Sequence, residues 1–354
     1  MNDAVPRISA DALTAFVAEL FARLGVPATG ARTTARALVA ADLDGVPSHG
    51  VMLVPMYVDR LVAGSVSKAG AASVARDDGS AVVFDAGNAL GQITSHQAVG
   101  RLVERAREHG LASVAVRNAF HFGAAGYWAR ALADAGLIGV AMCNTRPLMP
   151  APGGAERLVG NNPLAIAFPA AGGEPLVLDM ALSATAMGKI RLAESAGQPI
   201  PAGWAVDGEG RPTTDPATAI KGMLLPAAGP KGFGLALMID LLCGGLSGGA
   251  IGAEVKPLYG DPAVPYGCAH LFLAIAPAKF GVEGELAGRV AAFAQSVRSS
   301  RPASGVERVH APGDIELVRR RANAGACPLP ADVLEKLVAA GKRFGVPTAS
   351  ISKR

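Results

Sequence analysis

Two histidines, an aspartate and a lysine stand where their side chains could do chemistry. In DGVPSHGVML, Asp44–Leu53, His49 lies between Ser48 and Gly50; in NAFHFGAAGYW, Asn118–Trp128, His121 lies between Phe120 and Phe122. An imidazole titrates near neutral pH, so either ring could give or take a proton at a reacting oxygen or nitrogen. A lone loop histidine is more often solvated or packed, and one motif alone does not decide between these roles. In PLVLDMALS, Pro175–Ser183, Asp179 closes an apolar run, where a carboxylate either caps the next segment or serves a site. In AGPKGFGLALMIDLL, Ala228–Leu242, Gly229, Gly232 and Gly234 let the backbone approach a ligand, and Lys231 puts a point charge at the entry of an apolar helix. A helix N-terminus favours an anion, although a turn before a buried helix accounts for the same residues. Asn144 and Thr145 in AMCNT and Asn161 and Asn162 in GNNP offer hydrogen bonds at strand ends, where turns alone also favour asparagine.

These residues need elements to hold them. Leu13, Phe16, Val17, Leu20, Phe21 and Leu24 recur at the spacing of one helix face, and Gly25 ends that helix. A second helix is predicted from Thr29, as N-cap, to Leu43, with Gly45 as its breaker, so SHG falls just past a helix C-terminus. From Ala81 onward, AVVFDAG, LASVAVRN, LIGVAMCN, LAIAFP, PLVLDM and, much later, HLFLAIAP read as strands. Between them SHQAVGRLVERAREHG and GYWARALADAG read as amphipathic helices. This alternation predicts an α/β sheet covered on both faces. His121 then sits at a strand-to-helix crossover, where open α/β sheets bind their ligands. Two more helices are predicted at about residues 283–298 and 331–344, and no repeat, low-complexity tract or long linker interrupts the chain.

With 354 residues, 50% of them hydrophobic and 18% charged, the chain can bury a large core and has the length of about two domains. A net charge of +4, mixed along the chain, is no nucleic-acid footprint. The N-terminus MNDAVPRISADAL lacks a basic-then-apolar signal design, and no uncharged apolar run reaches the roughly 18 residues that span a bilayer. The four cysteines, Cys143, Cys243, Cys268 and Cys327, are far apart and form no CxxC pair. That argues against a disulfide framework or a structural metal site and for reduced, buried thiols. The expectation is a cytoplasmic enzyme or binding protein that acts on a small molecule, with neither nucleic acid nor membrane as partner.

A G-x-G-x-x-G fingerprint should follow a strand, open a helix and precede an acidic residue by about 20 positions, and no segment meets all of that. The glycine-rich CGGLSGGAIG at 243–252 follows a helical run instead, as a packing or turn element. The ordered set SHG, HFGAAGY, GNNP, LDMA, PTTDP, GPKGFGL and APGD nevertheless resembles the type 2 malate/L-lactate dehydrogenase family. That family is similar to ureidoglycolate, sulfolactate and diketogulonate oxidoreductases and to cyclic-ketimine reductases, and the resemblance runs from about residue 8 to 345. It implies an α/β fold with a three-layer mixed sheet that is not a Rossmann fold, which explains the missing fingerprint, and a homodimer with its active site in a cleft between domains. The expected organisation is an N-terminal helical segment with the SHG motif (1–75), an α/β cofactor-binding domain (76–282) and a C-terminal helical segment packing with the N-terminal part (283–354). The implied reaction is hydride transfer between NAD or NADP and a 2-oxo acid/2-hydroxy acid pair. A cyclic ketimine such as a piperideine or pyrroline carboxylate is the alternative electrophile, and a non-catalytic cofactor-binding paralogue is a third reading.

The resemblance also implies roles residue by residue. His49 matches the family histidine taken as acid/base, with Ser48 beside it; His121 matches a second active-site histidine, the proton acceptor in some members. His49 is preferred, with Asp179 expected to hold its tautomer or complete a relay. Thr145, Asp179, Met180, Ala181, Lys231 and the Gly313–Asp314 turn match cofactor-contacting positions, Lys231 pairing with a phosphate, and Tyr57 matches a residue near the substrate. Two positions depart from the family. Where many members carry an arginine able to grip a carboxylate with both arms of its fork, this chain has Leu53. Where Gly-Thr-Asn-Pro is usual, Asn161 replaces the threonine. Either Arg146, directly after CNT, holds the substrate's acid group, or the substrate turns an apolar group towards Leu53. The second is preferred because it needs no second arginine.

Overall fold

The computed structural model describes residues 5–282 and 284–352. β1 (Arg7–Ser9) leads into α1 (Ala10–Arg23) and α2 (Ala28–Leu43), and two short 3₁₀ turns connect α2 to α3 (Val54–Ala63). The predicted apolar stripe is the buried face of α1, with Leu13, Phe16, Val17, Leu20 and Phe21 inside. α2 begins one residue before Thr29, with Pro27 and not Thr29 at the N-cap position and no side chain capping it. Pro27 already has the extended backbone that turns a chain into a helix, so no hydroxyl is used there. α3 has Pro55 in its first turn, where a proline costs the helix no hydrogen bond.

The six predicted strands all lie in one seven-stranded sheet, ordered β2-β3-β4-β11-β5-β6-β7. They are β3 (Ala81–Asp85), β4 (Leu111–Ala119), β5 (Ile138–Cys143), β6 (Leu164–Phe168), β7 (Leu176–Met180) and β11 (Cys268–Ile275); β2 (Ser73–Asp78) adds an edge. Only β3 and β4 run parallel, joined by α4 (Gly91–His109), and every other neighbouring pair is antiparallel. A parallel pair needs such a crossover, and one pair is too few to build a dinucleotide fold of parallel halves. α5 (Ala125–Asp134) follows β4 and packs on β5 and β6.

β11 comes from residue 268 onward yet lies between β4 and β5, buried along most of its length. Its side chains alternate between two cores: Cys268, Phe272 and Ala274 join the one that holds Phe21, Tyr57 and Trp128, whereas Ala269 and Leu271 join the other. The second core is covered by α6 (Met187–Ser195), α7 (Pro216–Lys221), a small sheet of β8 (Ala205–Val206), β9 (Pro212–Thr213) and β10 (Met223–Leu224), and α8 (Pro230–Asp240), which runs into a π-helical turn. The result is three layers. Asn144 links them at the end of β5: its amide nitrogen donates to Asp240 (2.9 Å) and to the Ala250 carbonyl (2.8 Å), and its oxygen accepts from the Ala269 N–H (2.7 Å).

The rest of the chain closes the molecule. α9 (Glu285–Arg298) lies against β7, and α10 (Asp314–Asn323) follows. β12 (Ala326–Pro328) pairs with β1, α11 (Ala331–Arg343) packs on α3, and α12 (Ala349–Ser352) packs on α1. All four cysteines are free and buried. Among the described residues no helix is long and apolar enough to cross a membrane.

Candidate active site

The SHG segment is fixed from below by a residue that no motif marks. Asp42, buried in the last turn of α2, accepts the Val51 N–H at 2.8 Å. Gly50 passes so close to that carboxylate that a Cβ would collide with it, which is why the third position must be glycine. Burial raises the Asp42 carboxyl to about 7, the Val51 hydrogen bond working against it. His49 ends a 3₁₀ turn with its Nδ1 3.0 Å from the hydroxyl of Ser48, itself exposed. Its ring stacks on that of His121, centroid to centroid 5.6 Å at 28°.

His121 is held more firmly. Asn118, at the end of β4, takes a left-handed backbone (φ 49°) and donates its amide to both oxygens of Asp85, turning the chain towards α5. The start of α4 presses on the turn, since Gly91 leaves no room for a Cβ beside the Phe120 and His121 carbonyls. Trp128 Nε1 donates to the Phe122 carbonyl at 2.9 Å. The Gly123 N–H donates to His121 Nδ1 (3.3 Å), and the Tyr57 hydroxyl lies 2.7 Å from the same nitrogen. Gln92 Nε2 in turn donates to the Tyr57 oxygen at 3.0 Å. A nitrogen that accepts from a backbone N–H carries no proton, so the network assigns the ring proton to Nε2. Burial depresses the His121 basicity well below that of a free imidazole, reinforced by the nearby His49 and His270.

His270 is the third histidine here, and its strand run gave no reason to single it out. It faces the first core from β11, stacks on Phe122 at 4.4 Å and has Nε2 3.4 Å from the Cys268 sulfur. Complete burial pushes it down to about 3, so it stays neutral and acts as packing.

Asp179 bonds a helix start and not His49. Its carboxylate accepts the Gly126 N–H at 2.8 Å and so caps α5, not the segment that follows β7. It makes no hydrogen bond to His49, so the expected relay is absent; the α5 N–H has taken the carboxylate instead. Crowding by protein raises Asp179 to about 6, opposed by the Gly126 bond and aided by Glu316 and Asp44. Asp179, Gly126, Ala124, Gly313 and Glu316 line one narrow cavity of about 110 Å³. Gly313 (φ 85°) brings its backbone to this cavity, whereas the Asp314 side chain is committed to Arg298 at 2.8 Å, which lowers its carboxyl. Met180 and Ala181 continue from Asp179, both half-buried. The next residues, Leu182 and Ser183, bond and pair to Ala227 and Pro226, so the loop entering α8, with exposed Lys231 in its first turn, runs beside them.

The carboxylates of Asp179 and Glu316 at this cavity are of the kind that accepts from sugar hydroxyls, and Lys231 at a helix start is of the kind that meets a phosphate, so the chemistry of these residues is compatible with parts of a dinucleotide. Thr145 stands at the β5 exit with its hydroxyl on the Asn161 amide oxygen (2.9 Å) and its N–H on the Asn162 oxygen (2.8 Å). The GNNP segment thus braces the β5 end. Asn161, expected beside the substrate, spends its side-chain oxygen on that brace.

The family model described as malate/L-lactate dehydrogenase matches residues 8–338. The chain belongs to this family. This dehydrogenase is 40% identical to the (2R)-3-sulfolactate dehydrogenase (NADP(+)) of Chromohalobacter salexigens over 92% of its own length and 95% of that protein. It superposes on the solved sulfolactate dehydrogenase from Methanocaldococcus jannaschii with a TM-score of 0.91 at 33% identity, covering 96% of this chain and 98% of the other. It superposes on delta1-piperideine-2-carboxylate reductase from Pseudomonas syringae pvar. tomato with a TM-score of 0.85 at 31% identity, covering 95% and 99%.

In this dehydrogenase two residues expected at the substrate are buried. Tyr57 is fully buried, and its hydroxyl lies 2.7 Å from His121 Nδ1, one of the two candidate proton carriers. Leu53 is 1% exposed and belongs to the first core, so it offers no surface to an apolar substituent; a leucine in an apolar helix entry goes inside. Sequence reading also missed Arg60 of α3, which is 1% exposed and holds the loop carrying Tyr259 and Tyr266. It donates to the carbonyls of Pro257 (3.0 Å), Leu258 (2.9 Å) and Val264 (2.7 Å).

Proposed function

We propose that this dehydrogenase interconverts a 2-hydroxy acid and a 2-oxo acid with NAD or NADP, and that His121 carries the proton. The single observation behind the choice of His121 is the chain Gln92–Tyr57–His121, which orients one imidazole as a catalytic base is oriented, while His49 has only the exposed Ser48 as partner. A nicotinamide cofactor, when bound, supplies or accepts the hydride. Asp179 and the Gly313 backbone would hold its sugar hydroxyls, and Lys231 a phosphate. The protein's part is to manage the hydroxyl proton. The Tyr57 hydroxyl lies within reach of both His121 Nδ1 (2.7 Å) and the His121 carbonyl (3.2 Å). For Nε2 to act as the base the ring proton must move to Nδ1, which requires the long Gly123 N–H contact (3.3 Å) to open and the Tyr57 O–H to turn to the carbonyl, so that the Tyr57 oxygen accepts from Nδ1–H. Stacked on the ring, His49 raises the cost of protonating it and keeps water from that face.

The test is a rate panel with NADH and with NADPH, using 2-oxo acids and cyclic imines in parallel. The reading requires a 2-oxo acid to be the best substrate by kcat/KM. A cyclic imine outperforming every 2-oxo acid would favour the second reading, motivated by the likeness to the piperideine carboxylate reductase. No turnover of any of them would sink both. Asp179→Asn should weaken the cofactor about tenfold or more, the usual loss of a charge-assisted hydrogen bond, read by titration of NADH fluorescence. An unchanged affinity would remove Asp179 from the cofactor site.

The same reading includes a homodimer. α8 and its π-turn expose Leu237, Met238, Leu241, Leu242 and Leu246, each 39% or more accessible, which is an unusual apolar face for a lone chain. Light scattering should give twice the 35.7 kDa chain mass, and Met238→Glu with Leu242→Glu should halve it. A double variant that keeps the doubled mass would put the interface elsewhere. Four free, buried thiols fit a reducing compartment such as the cytoplasm.

A further inference from the structure

The cavity that Asp179 lines lies where two helix N-termini meet, those of α5 and α10, with Gly126 of the one and Gly313 and Glu316 of the other in its wall. A helix N-terminus attracts an anion, so a phosphate would ordinarily be welcome between two of them. Both ends, however, already have their anions. Asp179 accepts the Gly126 N–H of α5 at 2.8 Å. Asp314 and Glu316 both stand in the first turn of α10, and Asp314 accepts the Ala311 N–H at 2.8 Å.

The cations nearby are spent as well. Arg130, which lines the cavity, pairs with Glu174 at 3.4 Å. Arg320 of α10 holds Asp44, the third acid of the wall, with Nη2 at 2.7 Å. Arg298 is on Asp314 at 2.8 Å, and Arg319 donates to the Gly45 carbonyl at 3.3 Å. Glu316 is different. It is half-buried at the cavity, and among the described residues its carboxylate makes no ion pair and no hydrogen bond. Asp179 and Glu316 thus face the same small space with no guanidinium to balance them.

NAD and NADP differ in one group on the adenosine ribose, a 2′-hydroxyl in the first and a 2′-phosphate in the second. A carboxylate accepts from the hydroxyl and repels the phosphate, which wants an arginine instead. We infer that this cavity receives that ribose and that Glu316, together with Asp179, excludes the 2′-phosphate, so that the enzyme takes NAD in preference to NADP. The inference rests on the cofactor reading above and makes it specific. Glu316 is the discriminating residue, because Asp179 already spends an oxygen on α5, whereas Glu316 keeps its whole acceptor capacity for the ribose. A phosphate here would lose its water and gain neither a guanidinium nor an open helix end.

The test reads binding and needs no turnover. Titrated by nicotinamide fluorescence, the wild type should hold NADH at least about tenfold more tightly than NADPH, a gap that salt narrows. NAD should also raise the melting midpoint more than NADP at equal concentration. Glu316→Gln, which keeps the shape and removes the charge, should shrink the NADH-to-NADPH ratio at least about fivefold, mostly by tightening NADPH, and Glu316→Arg should reverse it. Equal affinity of the wild type for the two, or a preference for NADPH, would overturn the inference. So would a ratio that Glu316→Gln leaves unchanged, because the discriminating ribose would then lie elsewhere while the cofactor reading stands. If neither dinucleotide binds, the nicotinamide reading fails and this inference with it. If NADH is preferred through Glu316 and no 2-oxo acid turns over, the discrimination stands and the reaction assigned above fails.

Discussion

His121→Asn lowers kcat by about 10²- to 10⁴-fold, the range for losing a general acid-base group, and leaves NADH affinity close to that of the wild type. The expectation follows from what holds the ring. Tyr57, itself held by Gln92, and Gly123 fix one edge of His121, and no other imidazole among the described residues is held in this way. The pH profile adds a sign. Burial holds His121 well below 6.5, so the neutral base is present throughout the neutral range and is lost only as pH falls through that lowered value. Oxidation of the hydroxy acid should therefore stay level at neutral pH and decline only on the acid side of pH 6.5. Reduction, which needs the protonated ring, should speed up towards acid. His49→Asn should cost less than His121→Asn. The opposite order, with a collapse at His49 and near-normal turnover without His121, would return the proton to the SHG histidine.

Arg60→Ala should lower the unfolding free energy by about 3 kcal/mol or more, seen as a lower denaturant midpoint at unchanged slope. The carbonyls of Pro257, Leu258 and Val264 lose their donor together, and since these bonds are part-buried each loss costs about 1 kcal/mol. Because that loop carries Tyr259 and Tyr266, substrate KM should rise as well. Arg60→Lys should recover little of either, since one ammonium cannot reach all three carbonyls with a planar fork. A variant with wild-type stability would mean that water replaces the guanidinium.

The sheet was readable in the sequence because its inner strands have both faces at least half covered and so are written as mostly apolar runs, as in LAIAF and LFLAI. β2, SVARDD, was not, because it is an exposed edge whose charged residues keep other strands from pairing with it. The site was readable as motifs and not as a mechanism. SHG and HFG mark the two histidines, but the residues on which the proposal prefers one of them, Tyr57 and Gln92, are 64 and 35 positions from the groups they bond. Asp179 could be singled out as an acid at a strand end; that it caps α5 depends on a partner 53 residues earlier. Leu53 is the sharpest case. Motif comparison marks the position as one that can face substrate, yet an apolar residue there is pulled into the core, and no local signal separates the two outcomes.

In the proposed reaction the hydride passes directly from the nicotinamide to the C2 carbon of a 2-oxo acid. The most direct measurement is to supply NADH or NADPH deuterated at the transferring position of C4 and weigh the hydroxy acid formed. The product should carry one deuterium bound to C2, in ordinary water, with His121→Asn slowing its appearance. A product without deuterium, its C2 hydrogen drawn from solvent, would contradict the account.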